Sequence, residues 1–179
     1  MRLSSALAPA LVLPSLFLFS NLPSEVTRPP LDDPTIVAIF DQANTADIET
    51  GSLGAKRARS KEVRDFGTMM VHDHTTVRQL GRDLAKKLGV TPTPPADDPS
   101  VEAHATAMSS LRAASAGEFD RVYVQHEIDF HRSVIEAIRS TLLPAIHNQE
   151  LKALVIKVVP AFEAHLLAAQ RLQKEMAGK

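Results

Sequence analysis

The amino-acid sequence predicts an all-α protein, an up-down four-helix bundle with a short extra helix in the crossing segment between helices two and three. Three observations carry that expectation. Prolines cluster in the first 34 residues and in "TPTPPADDP" (91–99), and none falls between Thr35 and Thr91. Proline removes a backbone donor and clashes with the preceding turn, so such clusters mark helix boundaries. Between and after them apolar residues recur at helical spacing, with no competing strand alternation. Aromatic residues make up only 4% of the chain and tryptophan is absent, which leaves an aliphatic, alanine-rich core suited to helices.

Each element has its own signals. Asp33 before Pro34 reads as the N-cap of the first long helix, which runs to about Arg59. Ser60, followed by Glu62 and Val63, opens the second, and Gly89 stops it. A shorter helix covers roughly Ser100 to Ala114. "SAGEFD" starts the third long helix near Gly117, and it reaches about Ile146. Asn148 caps the fourth, which continues to about Met176 with Pro160 bending it without ending it. The domain so defined is 34–176, with 25–33 as a linker.

Residues 1–24 stand apart. Arg2 precedes an apolar run from Ala6 to Phe19, the layout of a secretory signal peptide or N-terminal anchor. The run is too short and too proline-rich for a good membrane span. The expected location is therefore the periplasm or cell envelope, with membrane attachment only through this segment. The net charge of −1 excludes nucleic-acid binding through bulk electrostatics. The absence of cysteine excludes disulfides, thiolate metal sites and cysteine nucleophiles.

Facing directions follow from a turn of about 100° per residue. In "VHDHTTVRQL" (71–80) His72 points away from the sector of Val63, Phe66, Met70, Val77, Leu84 and Leu88, while His74 and Asp73 flank it. Asp47 lies on the inner stripe of the first helix with Ile36, Phe40, Ala43, Gly51 and Ala58, and Glu49 points outward. Phe119, Tyr123, Phe130, Val134 and Ile138 bracket Asp120, Glu127 and His131 on the third. His165 belongs to the apolar stripe of the fourth. Asp47 and His74 lie about 13 and 14 residues from the first turn, which at about 1.5 Å per residue makes them level. His131 and His165 are similarly matched across the last turn. Asp47, His74, Glu127, His131 and His165 thus converge on one interior layer.

Buried ionisable groups are costly unless paired or bound to metal. Three imidazoles with carboxylates suit a first-row divalent metal ion. The bland alternative is a buried histidine–carboxylate network that fixes helix register. The Glu-x-x-His pairs of a di-iron bundle occur nowhere in the chain. His104 and His147, near helix ends, read as surface residues, and "KRARSKEVR" (56–64) as a solvated basic turn.

"ADIETGSLGAKRARSKEVRDFGTMMVHDHTTV", "FDRVYVQHEIDFH" and "VVPAFEAHLLAAQ" resemble an exported bacterial family of unknown function with a ferritin-like helical fold, often labelled outer-membrane proteins. The resemblance spans roughly Pro34 to Leu172. It matches Asp73-His74, Phe119-Asp120 with Tyr123 and His131, and Pro160 with His165. Where the family has glutamine or an apolar residue this chain has Glu127, and where glutamate is usual it has Asp47. The resemblance implies export and a ferritin-like bundle, but no reaction. The expectation is a binding module, not an enzyme, with His74, His131, His165, Glu127 and Asp47 as metal ligands and Asp73, Asp120 and Tyr123 supporting them. A metal-dependent oxidoreductase acting on oxygen species, or a structural or stress-related envelope protein, are the alternatives.

Overall fold

The computed structural model describes residues 31–178, which are all-helical and contain no strand. The expected signal segment and most of the linker lie outside them. The elements are α1 (Asp33–Arg57), α2 (Lys61–Leu88), α3 (Pro99–Ala113), α4 (Phe119–Ala137), a π-helical stretch (Ile138–Leu142), the single turn α5 (Leu143–Ala145) and α6 (Gln149–Ala177). No helix among the described residues is long and apolar enough to cross a membrane.

Local chemistry explains the boundaries and corrects some expectations. Asp32, not Asp33, caps α1, its carboxylate accepting the Thr35 N–H at 2.9 Å. Proline is tolerated through the first turn, so the helix begins one residue before Pro34. Asp33 instead accepts the backbone N–H groups of His147 and Asn148, fastening the start of α1 to the start of α6. Ser60, Asp98 and Asn148 cap α2, α3 and α6, and Gly89 ends α2 in the left-handed region at φ 66°. The third long helix begins at Phe119 rather than Gly117 and is not uniformly α-helical to Ile146. Pro144 has no N–H for the carbonyl four residues back, and the backbone widens into π geometry just before it. Pro160, with no comparable break around it, lies inside a continuous α6.

The apolar core falls into two clusters. One holds Ile36 and Phe40 of α1, Val77 and Ala85 of α2, Ile135 of α4, and Leu151, Val155 and Phe162 of α6. The other holds Ala58 after α1, Val63, Phe66 and Met70 of α2, Phe119, Tyr123 and Ile128 of α4, and Ala169 of α6. Reading each helix from one cluster to the other gives its direction: α1 and α6 run one way, α2 and α4 the other. Residues 90–118, with α3 beside α1, therefore carry the chain back along its length, so α2 and α4 are parallel and the expected up-down order is corrected to up-down-down-up. Gln42 bonds Ser100, Glu49 pairs with His104, and Arg57 reaches the carbonyls of Leu111 and Ala114, so α3 tracks α1 in parallel. Arg57 thus satisfies carbonyls at the C-terminal end of α3, a use that the solvated-turn expectation missed.

Glycines let helices α1 and α2 pack backbone to backbone. A Cβ on Gly67 would sit 2.5 Å from the Ala55 nitrogen and 2.8 Å from the Gly51 oxygen, which is backbone that cannot yield. A Cβ on Gly54 would strike the Tyr123 ring at 2.5 Å, so this glycine makes the space that the tyrosine fills.

Candidate metal centre

Between the two apolar clusters lies a polar layer. Asn44, Asp47 and Thr50 come from α1, His74 from α2, Glu127 and His131 from α4, and His165 from α6, and all are buried. On α1 they are three residues apart and on α4 four apart, so one face of each of these helices delivers them.

The ring tautomers follow from fixed acceptors. Asn44 donates its amide to the Phe40 carbonyl at 2.7 Å, leaving its oxygen to accept His74 Nδ1–H at 2.9 Å. His131 Nδ1–H donates to the Glu127 carbonyl at 3.0 Å. His165 Nε2–H donates to Asp73 Oδ2 at 3.0 Å. With a ring neutral, its other nitrogen turns a lone pair into the layer.

Those lone pairs face one another and a carboxylate. His74 Nε2 lies 3.3 Å from His165 Nδ1 and 2.7 Å from Asp47 Oδ2. His131 Nε2 lies 3.4 Å from the same Asp47 oxygen. Ligand atoms of His74, His131 and His165 fall within 4.8 Å of one another. His131 Nε2 and both Asp47 oxygens are buried without a hydrogen-bond partner among the described residues. Two acceptors at 2.7 Å need a cation between them. One proton on His74 would serve Asp47 and place an N–H before His165, but it would leave His131 Nε2 unmet. One metal ion would instead meet the three imidazole nitrogens at once.

Electrostatics agree with that geometry. Burial pushes the His131 imidazolium down to about 4 and also lowers that of His165, so both rings are neutral at pH 7. Burial alone would raise Asp47, but His131 and His74 outweigh it and hold the carboxyl below its usual range. Burial, then the Asp47 charge, raises Glu127 well above the ordinary carboxylate range.

A model of a domain of unknown function, DUF4142, matches residues 21–172. The chain belongs to that family. No curated protein matches it. Among solved structures, "Crystal structure of DUF305 fragment from Deinococcus radiodurans" is similar at 14% identity and TM-score 0.69, covering 82% of this chain and 99% of that one. "CopM in the Cu(II)-bound form" is similar at 12% identity and TM-score 0.62, covering 81% and 98%. These likenesses concern the fold of this DUF4142 chain.

The structure brings Asp47, His74, Glu127, His131 and His165 together, with Asp73 at the rim. Tyr123 lies against the layer, fully buried, its ring stacked on Phe119. Asp120 does not reach it. Its two oxygens accept the N–H groups of Arg59 and Ser60 at 2.9 and 2.8 Å, clasping the α1–α2 turn. An acid about two turns ahead of the layer in sequence sits by the chain reversal, where free backbone donors attract it. Sequence reasoning passed over Asn44 and Thr50. Asn44 lies three residues before Asp47, a spacing that was available as a signal, but its partner is on another helix.

Proposed function

We propose that this protein is an exported metal-binding protein that holds one first-row divalent ion through His74 Nε2, His131 Nε2, His165 Nδ1 and Asp47. The observation that carries this reading is the convergence of three imidazole lone pairs on a buried carboxylate with unmet oxygens. A nitrogen-rich set with one carboxylate suits copper, zinc, iron or nickel over magnesium or calcium. The Cu(II)-bound form of one structural neighbour makes copper the first ion to test. When bound, copper or iron would supply redox chemistry and zinc Lewis acidity.

Export rests on the sequence of residues 1–24, with 25–33 as linker and 34–176 as the binding domain. The ferritin-like character of the bundle belongs to the same reading, supported by four long helices around one interior and the long connection between α2 and α4. Binding is favoured over oxidoreductase activity because the ligand side chains are almost wholly buried, and catalysis on oxygen species needs an open, solvent-reached position. Elemental analysis of protein purified from its native compartment, followed by calorimetry with Cu(II), Zn(II), Fe(II) and Mn(II), tests the proposal. One ion bound per chain is expected. Metal-free protein that binds none of the four would overturn it.

A further inference from the structure

Three buried oxygens remain after that ion is placed. Asp47 Oδ1, Glu127 Oε2 and the Tyr123 hydroxyl have no hydrogen-bond partner among the described residues, and all three side chains are fully buried. They lie together. Ligand atoms of Asp47, Glu127 and His131 fall within 4.8 Å of one another, and the Tyr123 hydroxyl faces the Glu127 carboxyl. Glu127 is held in place from its other oxygen, which accepts the Thr50 hydroxyl at 3.1 Å. His131 Nδ1 stands 3.6 Å from Glu127 Oε2 but is committed to the backbone carbonyl. No lysine or arginine pairs with either carboxylate among the described residues.

We infer that Asp47, Glu127 and Tyr123 form a second cation position, lined by oxygen, with Asp47 bridging it to the histidine position. This rests on the reading of the histidine layer above. The two sides differ in chemistry. Imidazole nitrogens favour copper or zinc, whereas an all-oxygen set favours a harder ion such as Mn(II). The Asp47 and Glu127 carboxyls would supply the negative charge, with the Tyr123 hydroxyl as a further oxygen donor. Gly54 fits this arrangement, because a side chain there would occupy the space of the Tyr123 ring and hydroxyl.

The test uses the full chain loaded with one equivalent of Zn(II), then titrated with Mn(II) and followed by the loss of the free Mn(II) electron paramagnetic resonance signal. The expected result is one Mn(II) bound per chain with zinc retained. Glu127→Gln and the near-isosteric Tyr123→Phe should each weaken Mn(II) by at least the ~10-fold that even outer partners of a metal site cost, without releasing zinc. Circular dichroism confirms that both variants are folded; if Glu127→Gln is not, Tyr123→Phe decides alone. If zinc-loaded protein binds no Mn(II), or Mn(II) only displaces zinc, or both folded variants bind it like wild type, the second position is overturned while the histidine site stands. Failure of zinc and copper to bind at all would instead remove the histidine site and this inference with it.

Discussion

Two histidine–carboxylate pairs in this molecule have nearly the same geometry and opposite significance. His74 Nε2 stands 2.7 Å from Asp47 with side-chain exposures of 3% and 0%. His104 Nε2 stands 2.9 Å from Glu49 with exposures of 24% and 51%. The outer pair joins α3 to α1 at the surface, where water competes for both groups and screening leaves about 0–1 kcal/mol. The inner pair has no water to fall back on, so every unmet lone pair counts. It also has company: His131 and His165 turn further lone pairs toward the same carboxylate region, whereas Glu49 has a single imidazole. Distance alone therefore does not identify a site. Burial and the number of converging donor atoms do.

The largest expected effect separates the pairs directly. A divalent ion that binds only the folded state should raise the melting temperature of wild type in proportion to the logarithm of its excess. His131→Ala and His165→Ala should abolish that rise, and His104→Ala should leave it intact. Thermal scans across a Zn(II) or Cu(II) series check this. An equal loss in His104→Ala would erase the distinction between the inner and outer pairs.

Asn44→Leu sharpens the comparison by removing the acceptor that sets the His74 tautomer while preserving approximate volume. Outer partners of this kind are worth roughly 10–100-fold in metal affinity, and that is the expected loss. Calorimetric titration reads it. Glu49→Gln, which removes the corresponding partner of His104, should leave affinity unchanged.

In metal-free protein the inner layer should also dominate the pH dependence of stability. His131 and His165 titrate lower when folded than when unfolded, so the unfolded chain binds more protons as pH falls from about 6.5 toward about 4. Their contribution is present above the unfolded value and lost through that window. Glu127 acts in the opposite sense. Its folded carboxyl is raised, so it favours the folded state below the unfolded carboxylate range and loses that contribution as pH rises. Chelator-treated wild type should therefore lose stability between pH 6.5 and 5 in urea titrations. Glu127→Gln, without the opposing group, should show a steeper fall. A flatter profile in that variant would contradict the raised Glu127 carboxyl.

The smallest difference lies within one stretch of α2. His72 is exposed and should change stability by no more than about 0.5 kcal/mol when replaced by alanine. His74→Ala should cost about 1–3 kcal/mol by stranding its buried partners. Matched urea titrations of the two variants measure the contrast, and equal values would break it.

Periodicity made much of this legible before any coordinates. The long helices, the outward turn of His72 and Glu49, and the level placement of Asp47, His74, His131 and His165 all follow from a local rule, 3.6 residues per turn and a fixed rise. Capping chemistry located most ends, and its misreading at Asp32 and Asp33 cost a single residue. The sequence by itself thus determined the inward turn and depth of Asp47, His74, Glu127, His131 and His165, though not of Asp120. Tertiary structure alone decided what they meet there. Asn44 fixing the tautomer of His74, Asp73 orienting His165, Asp120 leaving the layer for the α1–α2 turn, and Gly54 admitting Tyr123 all depend on groups from different helices. A helical period gives an angle about one axis. It cannot say which neighbouring helix lies across that angle, nor which ring nitrogen finds an acceptor, because both depend on how helices distant in sequence pack together.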